Sequence, residues 1–212
     1  MTAKLLRLGP IDVVQVTRYD RLRGPGRAVR RLHQEDFCQA LGFAPNAKYE
    51  EEGGPTLAAC HALLRQVSSL PAIDSRAFLS WQVANLLLRN ADAHAKNLAL
   101  VYHQDSGCRL APFYDVVCTG VYQKLARRLP MRIGGATHSE GIAHRQWLDH
   151  ARSLGVPGRF LLSLVSDVAD RIEAALPRAR TTFRERYGDS PILGRILHES
   201  RKQIRHTRRL LE

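Results

Sequence analysis

Apolar and polar residues form two short alternating runs at the N-terminus and then adopt helical spacing. Residues 5–8 and 11–16 are mostly apolar and flank Gly-Pro at 9–10, which predicts a strand hairpin. Residues 23–31 are rich in Gly, Pro and Arg and predict a mobile loop. From Gln34 the apolar residues recur every three or four positions, which predicts a helix that ends at Gly42.

Two further helices are predicted in the middle of the chain. Thr56 is a suitable N-cap for a helix over 57–68, and Asp74 or Ser75 is suitable for a helix over 76–90. The second of these helices is apolar around most of its circumference, so we expect it to be the central buried helix.

The remaining pattern predicts few strands and more helices. Residues 98–102 and 109–110 are predicted to be short strands, residues 116–137 a long loop, and the rest helical. The predicted C-terminal helices cover 144–154, 158–177 and 190–211. The expected fold class is therefore mainly α with an α+β character, a helical domain with a few short strands.

Composition and termini favour a cytoplasmic globular protein. The chain is 44% hydrophobic and 25% charged, and its longest apolar stretch is shorter than the roughly 18 residues of a membrane span. Residues 1–4 lack the features of a signal peptide, so we expect no membrane partner. The four cysteines form no CxxC pair, and we expect them to be small buried residues in a reducing compartment.

The charge balance is strongly basic. The formal net charge is +12 and the isoelectric point is about 10.2. This balance favours a polyanionic partner, without choosing among nucleic acid, nucleotide phosphates and acidic proteins.

Polar residues crowd the end of the predicted central helix. Five polar groups occur within 90–97, where burial is costly unless the groups are paired or functional. Phosphoryl transfer needs a carboxylate that accepts a proton, and an Asp and an Asn that hold magnesium on the nucleotide phosphates. Asp92 and Asn97 have the Asp-x4-Asn spacing of protein kinases, and Asp115 follows after a hairpin-sized gap. We therefore expect Asp92 to be the catalytic base and Asn97 and Asp115 to be magnesium ligands.

Ordered motifs along most of the chain resemble one kinase family. The segment 90–97 with 110–115, Leu-Ala-Pro-Phe-Tyr-Asp, is similar to the HipA family of toxin serine/threonine kinases. Further similar segments are 18–21, 32–36, 48–50, 53–55 and 131–135. The resemblance implies a protein-kinase-like C-terminal lobe that uses ATP and Mg²⁺.

The same resemblance implies roles for further residues. His94 and Lys96 are expected in the catalytic group, with structural hydrogen bonding of His94 and neutralisation of Asp92 and Asp115 by Lys96 as alternatives. The residues expected to contact the nucleotide are Tyr19, Gln34 and Tyr114.

The family pattern also suggests how the chain is organised. Residues 1–24 would be a remnant strand hairpin and hinge, and residues 25–212 the catalytic lobe. The loop that covers the phosphates and the Lys that grips the nucleotide are expected to lie outside this chain. Thr17 occupies a position where family members tend to carry Glu. The expected partners are a HipB-like antitoxin or a separate N-terminal-lobe polypeptide, and a protein substrate that is translation-related, with DNA contacted only through the antitoxin.

A second function is compatible with the sequence. The chain could be a catalytically incomplete, pseudokinase-like module that binds an antitoxin-type DNA-binding protein or DNA. The basic segment Arg195–Arg209 motivates this alternative, although it could also be a solvated amphipathic helix.

Overall fold

The computed structural model describes residues 2–26 and 28–211, and this part of the chain is an α+β domain dominated by helices. The helices are α1 (Phe37–Ala40), α2 (Leu57–Val67), α3 (Pro71–Leu87), α4 (His144–Leu154), α5 (Gly158–Tyr187) and α6 (Pro191–Leu211). The strands are β1 (Ala3–Leu8), β2 (Ile11–Val16), β3 (Arg21–Arg23), β4 (Val29–Arg31), β5 (His33–Asp36), β6 (Ala99–His103), β7 (Gly107–Leu110), β8 (Arg128–Ile133) and β9 (Ala136–His138). The expected fold class is confirmed.

The N-terminal hairpin is confirmed, and a second strand pair follows it. β1 and β2 pair antiparallel from Ala3↔Val16 to Leu8↔Ile11. The segment predicted to be a mobile loop instead contributes β3 and β4, whose turn is closed by a bond from Gly24 N to Ala28 O. Arginine side chains dominate both strands, so the apolar alternation that marks a strand is absent there.

A three-stranded antiparallel sheet, in the order β5-β6-β7, supports the region of the predicted site. The predicted helix start at Gln34 is wrong, because residues 33–36 pair with β6 before α1 begins. Asp36 caps α1 by accepting a hydrogen bond from the backbone of Gln39. The predicted helix therefore started too early, within the residues that form β5.

The central helix α3 is buried as predicted, but it begins earlier. Pro71 occupies its first turn, where a missing N–H costs little. Asp74 is not an N-cap, since its carboxylate accepts bonds from Ser68 Oγ and from the side chain of Arg109. These contacts join the start of α3 to β7.

The C-terminal helices pack around α3 and complete the core. α4 and α6 match their predicted ranges, whereas α5 continues through Pro177 to Tyr187. The Tyr187 hydroxyl accepts a bond from Leu5 N at 3.3 Å, which ties the extended end of α5 to the first hairpin. The predicted loop over 116–137 contains β8 and part of β9, so that prediction was also incomplete.

The main core contains α3 and the faces of its neighbours. Phe78, Leu79 and Val83 of α3 are fully buried beside Trp147 of α4 and Ile204 of α6. Within the described residues, all four cysteines are free thiols, and Cys38 and Cys60 are buried. None of the described helices combines the length and apolarity required to cross a bilayer.

Candidate active site

The loop that leaves α3 turns sharply at a residue with left-handed backbone. Arg89 has φ 55°, which is uncommon for a non-glycine residue and costs conformational energy. Its carbonyl accepts bonds from Thr119 Oγ1 at 2.9 Å and from Gly120 N at 3.1 Å. Thr119 Oγ1 also accepts a bond from Ala91 N at 2.8 Å. The segment after Asp115 thereby supports the loop that carries Asp92.

Asn90 links the two acidic segments. Its Oδ1 accepts a bond from Asp92 N at 3.1 Å, and its Nδ2 donates to Asp115 O at 3.2 Å and to Asn85 Oδ1 at 2.8 Å. The side chain is only 4% exposed. One buried amide therefore sets the relative positions of the two predicted functional carboxylates through their backbones.

The Asp92 carboxylate is partly exposed and surrounded by three side chains. Its Oδ1 accepts a 2.6 Å hydrogen bond from Tyr49 Oη, and Lys48 Nζ lies 3.9 Å from the same oxygen. His94 Nε2 lies 3.7 Å from Oδ1. With 43% of its side chain exposed, Asp92 stays accessible to a reacting group while its Oδ1 is held.

A tight turn presents Tyr49 to Asp92. A single turn of 3-10 helix at Glu50–Glu52 ends at Gly53, which has φ 83°. Gly54 N donates to Tyr49 O, and a Cβ at position 54 would lie 2.7 Å from that oxygen. The backbone can approach so closely only because residue 54 is glycine. The two glycines of the 53–55 segment therefore position Tyr49.

His94 is buried behind Asp92. The residue is 6% exposed, and burial, together with the nearby charge of Lys48, lowers the pKa of His94 below its usual range. Its Nδ1 has no hydrogen-bond partner among the described residues. His94 also contacts the ring of Tyr49 edge-on, with ring centroids 5.3 Å apart. A neutral, partly unsatisfied imidazole beside Asp92 is an unusual group to bury without a function.

The predicted magnesium ligands lie on the two segments that Asn90 joins. Asn97 Nδ2 donates to Asp92 O at 2.9 Å, which orients the amide and leaves Oδ1 available for a cation. Asp115 is exposed and has φ 55°, a conformation that Asp adopts more readily than most residues. One carboxylate and one amide oxygen suit Mg²⁺, which takes its remaining ligands from phosphates and water. No cluster of three or more His, Cys, Asp or Glu able to hold a metal occurs in residues 2–26 and 28–211.

Lys96 has a different ionic partner from the one expected. Its Nζ lies 3.5 Å from Asp36 Oδ2, whereas the ion pair of Asp92 is with Lys48. Neutralisation of Asp92 and Asp115 by Lys96 is therefore not what the structure shows. Lys96 instead joins residues 90–97, the predicted catalytic loop, to the cap of α1.

The three residues expected to contact the nucleotide form one group. Tyr19 and Tyr114 stack with centroids 6.2 Å apart and an interplanar angle of 22°, and Tyr19 Oη donates to Gln34 Oε1. Both rings pack on a small apolar cluster of the sheet, formed by Leu32, Ala99, Val101 and Ala111. We call Tyr19 and Tyr114 the aromatic shelf. Tyr114 Oη donates to Lys96 O at 2.8 Å, which links this shelf to the predicted catalytic loop.

A buried carboxylate anchors the segment that carries Tyr19. Asp20 is 1% exposed and accepts two bonds from Arg18, at 2.8 and 2.7 Å, and one from Arg21. The hydrogen bonds from Arg18 are the main reason why the pKa of Asp20 is lowered to about 2. Asp20 therefore stays ionised and fixes the backbone beside Tyr19.

The sequence analysis did not name Tyr49, Lys48 or Asn90 among the site residues, although all three lie next to Asp92. Asn90 was visible as part of the polar run, but its two long-range partners were not. Tyr49 lies 43 residues before Asp92, and only the resemblance of segment 48–50 to a family motif indicated it.

Comparisons with known proteins point to one family. Residues 1–176 match the family described as HipA-like C-terminal domain. The chain is 39% identical over 175 residues to the putative kinase Y4mE of Sinorhizobium fredii, covering 82% of this chain and 41% of that protein. It is 30% identical over 184 residues to the serine/threonine-protein kinase toxin HipA of Shewanella oneidensis, covering 81% of this chain and 42% of that protein.

A solved structure shows the same fold. A chain in the Shewanella oneidensis complex of HipA, HipB and operator DNA superposes with a TM-score of 0.87 at 26% identity. The match covers 99% of this chain and 51% of that one. This chain thus spans about two fifths of the curated relatives it matches and about half of the solved chain.

Proposed function

Because this chain belongs to the family of HipA-like C-terminal domains, we propose that it is the catalytic part of a serine/threonine protein kinase from a bacterial type II toxin–antitoxin system. The reaction would transfer the γ-phosphate of ATP to a protein hydroxyl in the cytoplasm. A relative named as a serine/threonine-protein kinase toxin and another named as a putative kinase support the assignment. The observation that carries it is the single buried amide of Asn90, which joins the segments of Asp92 and Asp115.

Asp92 is proposed as the catalytic base. Its Oδ1 is occupied by Tyr49, so Oδ2 is the oxygen that can accept the proton of the attacking hydroxyl. Lys48 and Tyr49 hold the carboxylate in one orientation, which reduces the reorganisation needed when the proton moves. His94, which is buried next to Asp92, is proposed to help keep the carboxylate in this orientation.

Asn97 and Asp115 are proposed to hold Mg²⁺ on the nucleotide phosphates. When bound, the ion would neutralise charge that develops on the transferring phosphoryl group. The hydrogen bond from Asn97 Nδ2 to Asp92 O keeps the amide oxygen of Asn97 available, and Asn90 fixes the backbone of Asp115. Lys96 would order the loop between these ligands through its ion pair with Asp36.

The aromatic shelf is proposed to bind the adenine. Tyr19 and Tyr114 offer flat apolar surface, and Gln34 offers a polar side chain beside it. Because Tyr114 also bonds the backbone of Lys96, nucleotide binding on the shelf would be coupled to the position of the catalytic loop. Adenine recognition and phosphate transfer would then depend on one connected set of contacts.

Partners follow from the family assignment. The solved relative is titled as a complex with HipB and operator DNA, so we propose a HipB-like antitoxin as a partner of this chain. Because the chain spans only part of its relatives, the remaining contacts to the nucleotide could come from a further segment or a separate N-terminal-lobe polypeptide. The substrate is proposed to be a translation-related protein.

The proposal is tested by phosphate transfer from radiolabelled ATP with Mg²⁺ to proteins of a bacterial lysate. The chain is assayed alone and with the polypeptide encoded beside it. The expected result is transfer that is lost, by roughly 10²-fold or more, in the Asp92→Asn variant. Growth arrest on expression should be lost in the same variant.

The matched control is Asp149→Asn, which changes a carboxylate on α4 that lies outside the site. This variant should transfer phosphate like the parent chain. Equal transfer by the parent chain and Asp92→Asn, or no transfer with either mixture, would contradict the kinase assignment.

A further inference from the structure

Arg89 joins the last helix of the chain to the predicted catalytic loop. It precedes Asn90, whose amide links the segments of Asp92 and Asp115. The guanidinium of Arg89 reaches α6, where Gln203 Oε1 accepts a hydrogen bond from its Nη1 at 3.0 Å. One side chain therefore connects the start of the predicted catalytic loop to a helix that lies 114 positions later in sequence.

Two carboxylates complete the contacts of this guanidinium. Glu199, one turn before Gln203 on α6, lies 3.4 Å from Arg89 Nε. Glu140, in the single 3-10 turn Ser139–Gly141, lies 3.5 Å from Arg89 Nη1. Only 10% of the Arg89 side chain is exposed. Because a charge removed from water is costly unless it is paired, these three partners hold the guanidinium in one place.

The stem and the backbone of Arg89 are held against the segment that follows Asp115. The carbonyl of Arg89 accepts bonds from Thr119 Oγ1 and Gly120 N. A Cβ at position 120 would lie 2.9 Å from both Cβ and Nε of Arg89, so the side chain runs directly over this glycine. Arg89 is thus fixed at both ends, on the segment after Asp115 and on α6.

The backbone of Arg89 has a conformation that favours glycine. Its φ of 55° lies in the left-handed region, which costs conformational energy in any residue with a Cβ. Helices commonly end on a glycine in this conformation, and glycine would form the turn after α3 without that cost. The turn alone therefore does not explain a large side chain at position 89, whereas the contacts of the guanidinium do.

Other contacts hold α6 on the domain without Arg89. Arg208 forms ion pairs with Asp170 and Glu173 of α5, and Ile204 is fully buried in the core. These contacts fix α6 from the side of α5. The helix therefore offers a support from which the guanidinium of Arg89 can set the position of the loop.

We propose that Arg89 is a positioning residue for phosphate transfer, and that α6 supports Asp92 through it. This inference rests on the proposed role of Asp92 as the catalytic base. Arg89 acts through its neighbours, because Asp92 N bonds Asn90 Oδ1 and Ala91 N bonds Thr119 Oγ1. A displacement of the base by about 1 Å can lower a rate by roughly 10²-fold, so a small shift of this turn has a large effect.

Three substitutions of Arg89 test the role of its side chain. Arg89→Gly and Arg89→Asn tolerate the left-handed backbone but remove the guanidinium. Arg89→Lys keeps the positive charge and loses the planar set of donors. We expect kcat to fall by roughly ten- to hundredfold in the first two variants and by less in Arg89→Lys. KM for ATP should stay nearly unchanged, because the aromatic shelf packs on the sheet and not on Arg89.

A fourth variant removes the support from the other side. Glu199→Gln combined with Gln203→Met takes away both contacts that α6 makes to the guanidinium, and kcat should fall as it does in Arg89→Asn. The matched control is Arg208→Gln, which breaks ion pairs between α6 and α5. The control should keep the kcat of the parent chain, even where urea denaturation shows that it loses as much stability as the double variant.

Hydrogen exchange of residues 88–97, measured by mass spectrometry without ATP, tests the anchoring independently of catalysis. The double variant of α6 leaves the sequence of this segment unchanged, so its exchange compares directly with that of the parent chain. Exchange of the Ala91 and Asp92 amides should be roughly tenfold faster in the double variant. Arg208→Gln should exchange at the rate of the parent chain.

The results that would overturn the proposal are distinct from those that would overturn the kinase assignment. Arg89→Gly and Arg89→Asn variants with the kcat of the parent chain would show that the side chain does not position Asp92. Equal losses of kcat in Arg208→Gln and in the double variant would show a general effect of α6 packing. Unchanged exchange in the double variant would show that α6 does not hold the loop. A parent chain that transfers no phosphate contradicts the kinase assignment, and the exchange rates then decide the anchoring by themselves.

Discussion

The phenol of Tyr49 donates a 2.6 Å hydrogen bond to Oδ1 of Asp92, across 43 positions of sequence. Burial, and secondarily this bond, raise the pKa of Tyr49 above its usual range, so Tyr49 remains a proton donor at neutral pH. The proposed base is thus held by a side chain that no motif of the catalytic loop contains.

Replacing Tyr49 tests this relationship directly. Tyr49→Phe keeps the edge contact with His94 but removes the donor to Asp92. The expected loss is about 1.4 kcal/mol of transition-state stabilisation, or tenfold in kcat, with KM for ATP nearly unchanged. Steady-state kinetics of the active kinase measures both constants.

The control is Tyr122→Phe, which alters an exposed phenol in the loop before β8. It should have the kinetics of the parent enzyme. A Tyr49→Phe variant as fast as the parent would show that Tyr49 does not position Asp92.

Asp115→Asn separates metal binding from backbone conformation. Asp115 has φ 55°, and Asn tolerates this conformation as well as Asp does. The loop should therefore be retained while one charge is lost from the proposed metal site. The Mg²⁺ concentration needed for half-maximal activity is expected to rise by about tenfold or more.

A magnesium titration of activity at saturating ATP measures this change, with Asp105→Asn in the exposed turn between β6 and β7 as the control. If both variants have the magnesium requirement of the parent enzyme, Asp115 is not a metal ligand.

Asp74 is expected to be important for stability. Burial opposes its ionisation, but hydrogen bonds from Arg109, Ser68 and Leu110 N outweigh that cost and hold the pKa of Asp74 below its usual value. Asp74→Asn leaves the guanidinium of Arg109 without its counterion, so we expect a loss of about 3 kcal/mol or more in the free energy of unfolding. Urea denaturation measures it.

Asp167→Asn provides the comparison, because Asp167 is 56% exposed and only 3.9 Å from its partner Arg76. Such a surface pair contributes little, and a shift within about 0.5 kcal/mol is expected. Equal stability of the two variants would contradict the structural role of Asp74.

Acid should destabilise the core through His150. Burial, aided by the neighbouring His61, lowers the pKa of His150 to about 4, from an ordinary value of 6.5. The folded state therefore binds fewer protons than the unfolded state between these pH values. The stability that the neutral ring contributes is present above pH 6.5 and is lost as the pH falls toward 4.

About 2.5 kcal/mol should be lost between about pH 7.5 and pH 4.5, as measured by urea denaturation at these two pH values. His150→Gln can still pair with Gln82 but cannot titrate, so its stability should change less between the two pH values. His144→Gln, at an exposed histidine, should keep the pH dependence of the parent chain. An equal pH dependence in all three proteins would exclude His150 as its origin.

Local sequence determined those elements whose stabilising groups are close together in the chain. Thr56 bonds the backbone of Ala59, three residues on, and α2 has the predicted start. The hairpin of β1 and β2 closes over Gly-Pro at 9–10. The candidate residues Asp92 and Asn97 were also apparent, because a polar run after an apolar helix is costly without pairing or a function. Asp115 was apparent from the hairpin-sized gap that separates it from Asp92.

Only the tertiary structure decided which distant groups meet. The helix was predicted to begin at Gln34, but residues 33–36 form β5 because β6, more than sixty residues later, supplies their hydrogen-bond partners. Lys96 pairs with Asp36 rather than with the acids near it in sequence, and Asp92 is held by Lys48 and Tyr49. The physical reason is that these bonds depend on how α1, the sheet and the predicted catalytic loop pack together. The spacing of residues along the chain does not predict that packing.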